Sequence, residues 1–434
     1  MARKYYIETF GCQMNVHDSE RLAGLLDQAG YEPVAAPTEA DLVVINTCSV
    51  RERAEVRLYT ELGMVPANTA GKRPIVAVTG CVAQQEGSAL LERGSRVDLV
   101  VGTQALTRLP EMVERLASER PERVDINPYD NVSFPLGVAR RSDPVKASVT
   151  IIEGCNDFCA FCVVPYTRGH ERMRPAGEII EEVRLAANEG HREIHLLGQI
   201  VNHYAAPDRP GCDFAGLLEL VHEVEGVERI RFASPHPRHV TDRMIAAMRA
   251  LPKVCRHLHL PVQSGSTSVL ARMRRRHTRD DYLKLVDRLR TAMPDIALST
   301  EMIVGFPGET GGGVCRHAQL DQRHRLPQHV LVQVLGTAQH ACGEAVGRRR
   351  LGSREDLSDR RAARPAEGHS GPHTPSARGP RGRGAGRLDE PQARLGASRP
   401  DDKQHRGQLH RTPGTAWAHG ACAHHSERLV QPAR

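Results

Sequence analysis

The densest group of chemically active side chains is a run of three cysteines, Cys155, Cys159 and Cys162. They follow the pattern CxxxCxxC within EGCNDFCAFCVVPYTRG (153–169), directly after a segment that reads as a strand. Three thiolates on a four-iron cluster leave one iron without a protein ligand, and a small molecule can bind at that iron. A structural zinc ion prefers four closed ligands, and His170 would have to supply the fourth. The spacing therefore favours an iron–sulfur cluster, with zinc as the alternative.

Three further cysteines, Cys12, Cys48 and Cys81, each follow a predicted strand by one or two residues. Because the carboxyl ends of parallel strands form one edge of an open α/β sheet, these thiols are expected to converge there. The alternative, three unrelated buried thiols, explains each cysteine but not their common position. Cys212 and Cys255 have no partner spacing. The sequence thus predicts two separate sets of three cysteine ligands, in a chain whose cysteines suit metal or redox chemistry.

Alternating strands and helices position both cysteine sets. In the N-terminal part, strands are predicted at Tyr5–Phe10, Asp41–Asn46, Pro74–Thr79 and Val97–Thr103, and helices at Asp18–Ala29, Arg51–Leu62 and Val82–Arg93. A second series has strands at Ser148–Ile152, Glu193–Leu197, Arg229–Ala233, Arg256–Leu260 and Ile296–Val304, and helices at Ala176–Asn188, Phe214–Val224, Asp242–Leu251 and Asp280–Met293. This alternation predicts an α/β fold, in which an N-terminal parallel sheet precedes a partial (βα) barrel.

Composition divides the chain into an N-terminal α/β domain (1–120), a linker (121–145), an incomplete barrel (146–311) and a tail (312–434). The tail has 21 Lys and Arg against 11 Asp and Glu, whereas the first 311 residues have 38 and 41. Its single Trp, Tyr or Phe is Trp417, and such a segment cannot bury enough apolar surface to fold. The tail is therefore predicted to lack a recognisable fold, as a disordered segment or the product of a shifted reading frame. A basic RNA-binding arm is the alternative. A barrel cut short would expose the edge of the strand at Ile296–Val304.

Seven ordered motifs resemble the methylthiotransferase family of the radical S-adenosylmethionine (SAM) superfamily. They are FGCQMNVHDSE (10–20), INTCSVRERAE (45–55), TGCVAQ (79–84), GCNDFCAFCVVPYTRGHERMR (154–174), LLGQIVNHY (196–204), LPVQSGS (260–266) and STEMIVGFPGET (299–310). The stretches GCQMN, GCN and LGQ-VN-Y favour the branch of tRNA-2-methylthio-N6-dimethylallyladenosine synthases. The resemblance covers about residues 3–311, and it departs from the family pattern at Ile200, Glu301 and SPHP (234–237).

The resemblance implies methylthiolation of C2 of N6-dimethylallyladenosine at position 37 of tRNA, next to the anticodon, by a radical SAM mechanism. Two 4Fe–4S clusters are implied, one on Cys155, Cys159 and Cys162 and a second on Cys12, Cys48 and Cys81. SAM would bind the first cluster, and its implied pocket residues are Phe161, Gln199, Gln263, Ser264, Glu301 and Gly305. The alternatives are another methylthiotransferase branch and a non-catalytic iron–sulfur protein, including an inactive frameshifted product.

The implied partners are a tRNA substrate, an electron donor such as a flavodoxin or ferredoxin, and a sulfur donor of unspecified identity. We expect a monomeric, cytoplasmic protein, because the sequence has neither a membrane-spanning apolar run nor a signal-peptide core. The basic run ARMRRRH (271–277) is predicted either to contact RNA phosphates or to form a solvated helix face. His195 and His259 lie within predicted strands and are expected to be packed or hydrogen-bonded rather than catalytic.

Overall fold

A six-stranded parallel sheet forms the N-terminal part of the structure, a computed structural model that describes residues 2–49, 52–93, 96–116, 121–127, 137–310 and 328–333. The strands are β1 (Lys4–Thr9), β2 (Glu32–Pro33), β3 (Leu42–Thr47), β4 (Ile75–Gly80), β5 (Leu99–Val101) and β6 (Val124–Asp125). Their order in the sheet is β2-β1-β3-β4-β5-β6, and every neighbouring pair is parallel. The central strand β3 is buried along its whole length, as expected for a sheet covered on both faces.

Helices cover both faces of this sheet. They are α1 (Gln13–Gln28), α2 (Glu52–Met64), α3 (Cys81–Glu86), α4 (Ala89–Arg93) and α5 (Leu109–Arg115). Side chains of β3 alternate between two apolar clusters: Leu42 and Val44 pack in one, and Val43 and Ile45 in the other. The sequence predicted one helix at Val82–Arg93, whereas the structure has the two short helices α3 and α4 there. Cys81 is the first residue of α3.

A second set of parallel strands forms the barrel, and the predicted α/β fold class is confirmed. The strands are β7 (Lys146–Thr150), a short hairpin of β8 (Ile152–Glu153) and β9 (Arg172–Met173), β10 (Glu193–Leu197), β11 (Arg229–Phe232), β12 (His257–His259), β13 (Ala297–Val304) and β14 (Gln328–Gln333). The helices are α6 (Val164–Thr167), α7 (Ala176–Asn188), α8 (Phe214–His222), α9 (Asp242–Ala250), α10 (Thr267–Arg272) and α11 (Arg279–Ala292). Parallel pairing joins β11-β10-β7 and β12-β13-β14. Among the described helices, none combines the length and the apolar character needed to cross a membrane.

The two faces of the barrel strands differ in chemistry. Val149, Leu196 and Leu258 pack in the large apolar cluster that also contains the helices. Because side chains alternate along a strand, His195 and His259 lie on the opposite face. There the His195 ring bonds Glu193 at 2.6 Å, and the His259 ring bonds Ser299 at 2.8 Å. Both histidines are hydrogen-bonded, as the sequence indicated.

Strand β14 lies in the segment that the sequence assigned to a tail without a fold. It pairs in parallel with β13, from Ser299 opposite Gln328 to Val304 opposite Gln333. The segment reads QHVLVQ, and its three central apolar residues favour a strand although the tail as a whole is polar. The barrel boundary predicted at residue 311 is therefore too early, and the edge of β13 is covered instead of exposed. The rest of the predicted tail lies outside the described residues.

Part of the predicted linker also belongs to the folded structure. Its residues Val124–Asp125 form strand β6. The Arg140 N–H donates to the Glu20 carbonyl at 2.8 Å, and the Arg140 guanidinium pairs with Asp27 at 2.9 Å on α1. Arg141 pairs with Glu182 on α7 at 3.2 Å. These contacts connect the N-terminal helix to the barrel through the linker.

Candidate functional site

The first cysteine set lies at one edge of the N-terminal sheet. Cys12 follows β1 and caps α1, Cys48 follows β3, and Cys81 follows β4 as the first residue of α3. Since β1, β3 and β4 are adjacent and parallel, the three cysteines lie at the carboxyl ends of neighbouring strands, as the sequence indicated. Cys48 and Cys81 are buried, and Cys12 is partly exposed. We call these three residues the N-terminal triad.

Two buried asparagines support the N-terminal triad. The Cys12 thiol donates to Asn15 Oδ1 at 3.3 Å. Asn15 Nδ2 donates to Asn46 Oδ1 at 3.0 Å, and Asn46 Nδ2 donates to Ser19 Oγ at 2.9 Å. Both asparagines are fully buried, so these bonds fix the α1 start against the end of β3. Sequence reasoning did not single them out, although each lies within three residues of a triad cysteine.

Residue 80, directly before Cys81, must be glycine because the backbone there leaves no room for a side chain. Gly80 has φ +90°, a conformation that side chains disfavour. A Cβ atom at this position would come within 2.5 Å of the Thr47 carbonyl oxygen and would also overlap the Asn46 side chain. The close approach of β4 to the end of β3 therefore requires glycine, and it brings Cys81 beside the other two thiols.

The surroundings of Cys12 favour its thiolate, the form that binds metals. A hydrogen bond from Cys48 lowers the pKa of Cys12 to about 5, against the opposing effect of burial. The positive charge of Arg168 and the backbone N–H groups of Asn15 and Met14, at the start of α1, act in the same direction as Cys48. This edge of the sheet is thus arranged to stabilise negative charge on sulfur.

The second cysteine set lies on the loop that follows β8. We call Cys155, Cys159 and Cys162 the barrel triad. The Cys155 N–H donates to the Gly169 carbonyl at 3.1 Å, which closes the loop on itself. Gly154 has φ +74°, and a Cβ atom there would lie 2.6 Å from that same carbonyl oxygen. Glycine is therefore required before the first cysteine of the loop.

The barrel triad differs electrostatically from the N-terminal triad. Burial raises the pKa of Cys155 to about 12, and burial also raises the pKa of Cys162. These thiols keep their protons until a metal displaces them. The Arg275 guanidinium, 7% exposed, lies 3.7 Å from Cys159 Sγ. Arg275 belongs to the run ARMRRRH but points inward, so it fits neither of the two roles predicted for that run.

Both triads are too open for a single metal ion. Within the described ranges, only Asp157, His236 and His239 bring three metal-ligating atoms within 4.8 Å of one another. Thiolates around one zinc ion would lie about 3.8 Å apart, by tetrahedral geometry and the usual Zn–S distance. His170, which would have to be the fourth zinc ligand, is instead hydrogen-bonded through Nδ1 to Asn156 Oδ1 at 3.2 Å. Cysteines spread over a wider space fit a cluster of several irons, which distributes its ligands over different metal atoms.

The three close ligand atoms of Asp157, His236 and His239 do not form a convincing metal site. His236 is buried, and its Nδ1 accepts the Arg238 N–H at 3.1 Å. The proton of the neutral ring is therefore on Nε2, which faces Asp157 at 3.8 Å and has no lone pair for a metal. Burial lowers the pKa of His236 to about 2, and Arg275 adds to this effect, so the ring stays neutral.

Among the residues predicted to form a SAM pocket, Gln263 and Ser264 follow β12, and Glu301 lies within β13. Gln263 has φ +71°, a strained conformation for a residue with a side chain, and pairs with Met302 of β13. Ser264 is fully buried next to it. Glu301 Oε1 contacts His259 Nε2 at 3.0 Å on the inner face of the barrel.

Of the other predicted pocket residues, Phe161 lies on the barrel triad loop, and Gly305 and Gln199 follow strands β13 and β10. The Gly305 N–H donates to Glu309 Oε2 at 2.7 Å, which holds the turn after β13. Phe161 packs against a small apolar cluster that includes Met273 and Ile303. Gln199 is partly buried after β10. These positions come from three different strand ends, where a barrel enzyme binds its substrate.

A buried ion pair joins the elements that carry the two triads. Arg168, six residues after Cys162, donates to Asp18 at 2.6 Å, six residues after Cys12. Arg168 is 4% exposed and Asp18 is 1% exposed. Burial opposes the charge of Arg168, but Asp18 and the thiolates of Cys81 and Cys12 outweigh it and raise the pKa of Arg168 well above its usual value. This contact was not predicted; its only sequence signal was an arginine shortly after the CxxxCxxC motif.

Hydrogen bonds from the N-terminal sheet hold the backbone on either side of this pair. Thr103 Oγ1 donates to the Thr167 carbonyl at 2.6 Å, and Gln104 Nε2 donates to the Arg168 carbonyl at 2.8 Å. Arg21 on α1 also pairs with Glu153, next to the barrel triad, at 3.2 Å. The segments on both sides of the barrel triad are thus fixed against the N-terminal sheet and its helix α1.

Replacing Arg168 with Met should destabilise the protein strongly, because the buried Asp18 would lose its hydrogen-bonded cation and keep only the more distant Arg21, at 3.9 Å. We expect the free energy of unfolding to fall by about 3–5 kcal/mol, measured by urea denaturation of the metal-free chain. The matched control is Arg184→Met on α7, since Arg184 is 60% exposed and pairs with Glu181 at 3.7 Å. That change should cost about 0–1 kcal/mol. Equal losses for both variants would show that the buried pair has no special role.

Comparison with known proteins agrees with this arrangement. The family model described as uncharacterized protein family UPF0004 matches residues 4–102, which contain the N-terminal triad. The model of the radical SAM superfamily matches residues 149–320, which contain the barrel triad. The fold and the CxxxCxxC loop thus define a radical SAM enzyme, whose cofactors are SAM and a 4Fe–4S cluster, and methylthiotransferases carry two such clusters.

Curated relatives give the family more narrowly. A tRNA-2-methylthio-N(6)-dimethylallyladenosine synthase of Syntrophotalea carbinolica is 45% identical over 329 residues, which are 75% of each chain. Its counterpart in Geobacter metallireducens is 48% identical over 309 residues, 70% of this chain and 69% of that one. The chain belongs to the family of tRNA-2-methylthio-N(6)-dimethylallyladenosine synthases. Against the Frankia alni relative, at 50% identity, the match covers 71% of this chain and 62% of that one.

Solved structures support the fold alone. The radical SAM methyltransferase TsrM from Kitasatospora setae, with tryptophan and a SAM analog bound, has a TM-score of 0.57 at 14% identity and covers 76% of this chain and 73% of its own. The cobalamin-dependent radical SAM enzyme OxsB, with aqua-cobalamin and SAM bound, has a TM-score of 0.51 at 12% identity, covering 78% of this chain and 54% of its own.

Proposed function

We propose that this chain methylthiolates C2 of N6-dimethylallyladenosine at position 37 of tRNA, next to the anticodon. The observation that carries the proposal is the pair of cysteine triads held together by the buried contact of Arg168 with Asp18. A single radical step would need only the barrel triad. A second cysteine set beside it suits a reaction that also transfers sulfur, and the names of the relatives give the nucleoside.

In this proposal each triad holds one 4Fe–4S cluster, and SAM binds at the barrel triad. The bound cofactors supply a radical able to activate an aromatic C–H bond, which offers no leaving group to a nucleophile. The chain's own residues position these groups. Phe161 packs the barrel triad loop against Met273 and Ile303, and the Glu309 side chain holds the turn at Gly305, one of the predicted pocket residues.

The remaining assignments are part of the same proposal. SAM is bound by the pocket residues Phe161, Gln199, Gln263, Ser264, Glu301 and Gly305. The division into an N-terminal domain, a linker and a barrel stays a prediction, with the barrel extended to include β14. A tRNA is the substrate, a flavodoxin or ferredoxin supplies electrons, and the protein acts in the cytoplasm as a monomer.

The test is to express the chain in a bacterium that lacks its own methylthiolating enzyme and to analyse tRNA nucleosides by mass spectrometry. We expect 2-methylthio-N6-dimethylallyladenosine to form, and we expect its yield to depend on both triads. A second chain, with the reading frame restored after Thr310, should give more product and a protease-resistant C-terminal region if the tail arose by a frameshift.

Three results would contradict the proposal in different ways. A methylthio group on another nucleoside or on a protein would indicate another branch of the family. Purified protein that binds two clusters but never cleaves SAM would be a non-catalytic iron–sulfur protein. If only the chain with the restored reading frame formed product, the present sequence would be an inactive form of the enzyme.

A further inference from the structure

The loop of the barrel triad carries an exposed aromatic pair. Among the described residues, Phe158 and Tyr166 are the only exposed Phe, Tyr or Trp side chains, at 38% and 71%. Their rings meet edge to face with centroids 6.1 Å apart, and the exposed His170 ring lies 6.5 Å from Phe158. Large aromatic side chains are usually mostly buried, so two exposed rings side by side on the barrel triad loop point to a binding role.

The backbone under this pair is strained. Phe158 has φ +45°, in the left-handed region that a bulky side chain disfavours. Five described non-glycine residues have positive φ, and three of them lie here: Phe158, Arg274 and Arg276. The exposed Phe158 ring thus lies on a strained part of the backbone.

Exposed arginines lie next to the aromatic pair. The Ala160 N–H donates to the Met273 carbonyl at 3.1 Å, which attaches the run ARMRRRH to the barrel triad loop. Along this run Met273 and Arg275 are buried, whereas Arg274 and Arg276 are exposed. Arg276 is 3.9 Å from Asp157, the residue before Phe158, and its side chain remains 56% exposed. Positive charge and aromatic rings therefore share one surface.

We propose that Phe158, Tyr166, Arg274 and Arg276 form a surface that binds single-stranded RNA, with a base stacked on the aromatic rings and the arginines against phosphates. We call these four residues the loop patch. The inference rests on the proposed function, because the target nucleoside must leave its neighbours in the anticodon loop to reach the barrel triad. Unstacked loop bases are recognised by aromatic side chains and guanidinium groups. The loop patch would hold a base that flanks the modified adenosine.

The experiment measures binding of an anticodon stem-loop RNA, containing N6-dimethylallyladenosine, to the anaerobically reconstituted full chain at several salt concentrations. Phe158→Asn combined with Tyr166→Ala should weaken binding about tenfold, because stacking contributes about 1–3 kcal/mol per base. Asparagine tolerates positive φ, so this change keeps the backbone. Arg274→Gln combined with Arg276→Gln should weaken RNA binding. It should also reduce, by about two, the slope of the logarithm of the binding constant against the logarithm of the salt concentration, since each phosphate contact contributes about one.

Two control variants match these changes in type and exposure. Met64→Ala removes another exposed apolar side chain, 61% exposed, far from any triad in sequence. Arg115→Gln combined with Arg184→Gln removes two arginines of the surface, 69% and 60% exposed. Both controls should bind RNA as the unchanged chain does. SAM cleavage without RNA is recorded for every variant, so that damage to the cofactor site is detected separately.

Unchanged RNA affinity in the Phe158/Tyr166 variant would overturn the inference while leaving the proposed function intact. So would a loss of affinity for a flavodoxin with RNA binding preserved, because the loop patch would then bind the electron donor. Weakened RNA binding with normal SAM cleavage supports the inference. If the unchanged chain cleaves SAM but modifies no RNA, and the loop patch still binds the stem-loop, the proposed function fails and the binding surface stands.

Discussion

Replacing Cys155, Cys159 and Cys162 together with Ala should remove one of the two clusters and abolish reductive cleavage of SAM. The reason is that SAM needs a cluster with an open iron, and the barrel triad is the cysteine set that lies within the radical SAM match at residues 149–320. After anaerobic reconstitution we expect a loss of about four iron atoms per chain. The measurement is the iron and sulfide content, together with the rate of 5′-deoxyadenosine formation in the presence of dithionite.

The control for this experiment uses two cysteines outside the triads. Cys212 is buried and Cys255 partly buried, and neither belongs to a triad. A Cys212→Ala, Cys255→Ala variant should therefore keep both clusters and cleave SAM at the normal rate. SAM cleavage at full rate by the triple variant would mean that the cofactor binds elsewhere, and the assignment of the barrel triad would be wrong.

Regular elements of the fold follow closely from the sequence. Helix α7 spans Ala176–Asn188, the bounds that the apolar period predicted, because its buried side chains recur on one face, as at Ile179, Val183 and Ala186. Strand β10 likewise has its predicted bounds, Glu193–Leu197. Local burial fixes such elements, and a local pattern is therefore enough to find them.

Features that depend on contacts between distant residues were not predictable in this way. Helix α1 begins at Gln13, five residues before its predicted start. Its first turn contains Asn15, whose buried side chain is hydrogen-bonded to Asn46, so the apolar pattern does not mark this turn. Strand β14 needs the open edge of β13 as a partner. The pairing of Arg168 with Asp18 links positions 150 residues apart in the chain. No short pattern records contacts of this range.

The cysteine ligands of the candidate site follow from local sequence patterns, whereas its strained backbone does not. The CxxxCxxC spacing predicted the barrel triad, because cysteines that bind one cluster from a single loop must lie close together in the sequence. Strand-end positions predicted the N-terminal triad, because the carboxyl ends of parallel strands meet at one edge of the sheet. Positive φ at Phe158 and Gln263 has no sequence signal, since neither residue type favours that conformation. Strain of this kind becomes visible only in three dimensions, and it occurs here beside the barrel triad and in the predicted SAM pocket.

Replacing Cys12, Cys48 and Cys81 with Ala should separate the two halves of the reaction. Because these residues lie on a different sheet from the barrel triad, we expect this variant to keep one cluster and to cleave SAM. The methylthio nucleoside should disappear from tRNA, since no second cluster remains to serve sulfur transfer. Nucleoside mass spectrometry and 5′-deoxyadenosine formation, measured on the same preparation, give the two readouts.

Loss of the fold would make this result ambiguous, so a milder change accompanies it. Asn15→Ala leaves all three cysteines in place but removes the bonds that Asn15 Nδ2 donates to Asn46 Oδ1 and the Thr47 carbonyl, which hold the start of α1 against the end of β3. We expect product yield to fall with SAM cleavage preserved, because Cys12 loses its support while the barrel triad is untouched. Normal methylthiolation by the Cys12/Cys48/Cys81 variant would show that the N-terminal triad is not needed. Sulfur transfer would then have to take place at the barrel triad alone.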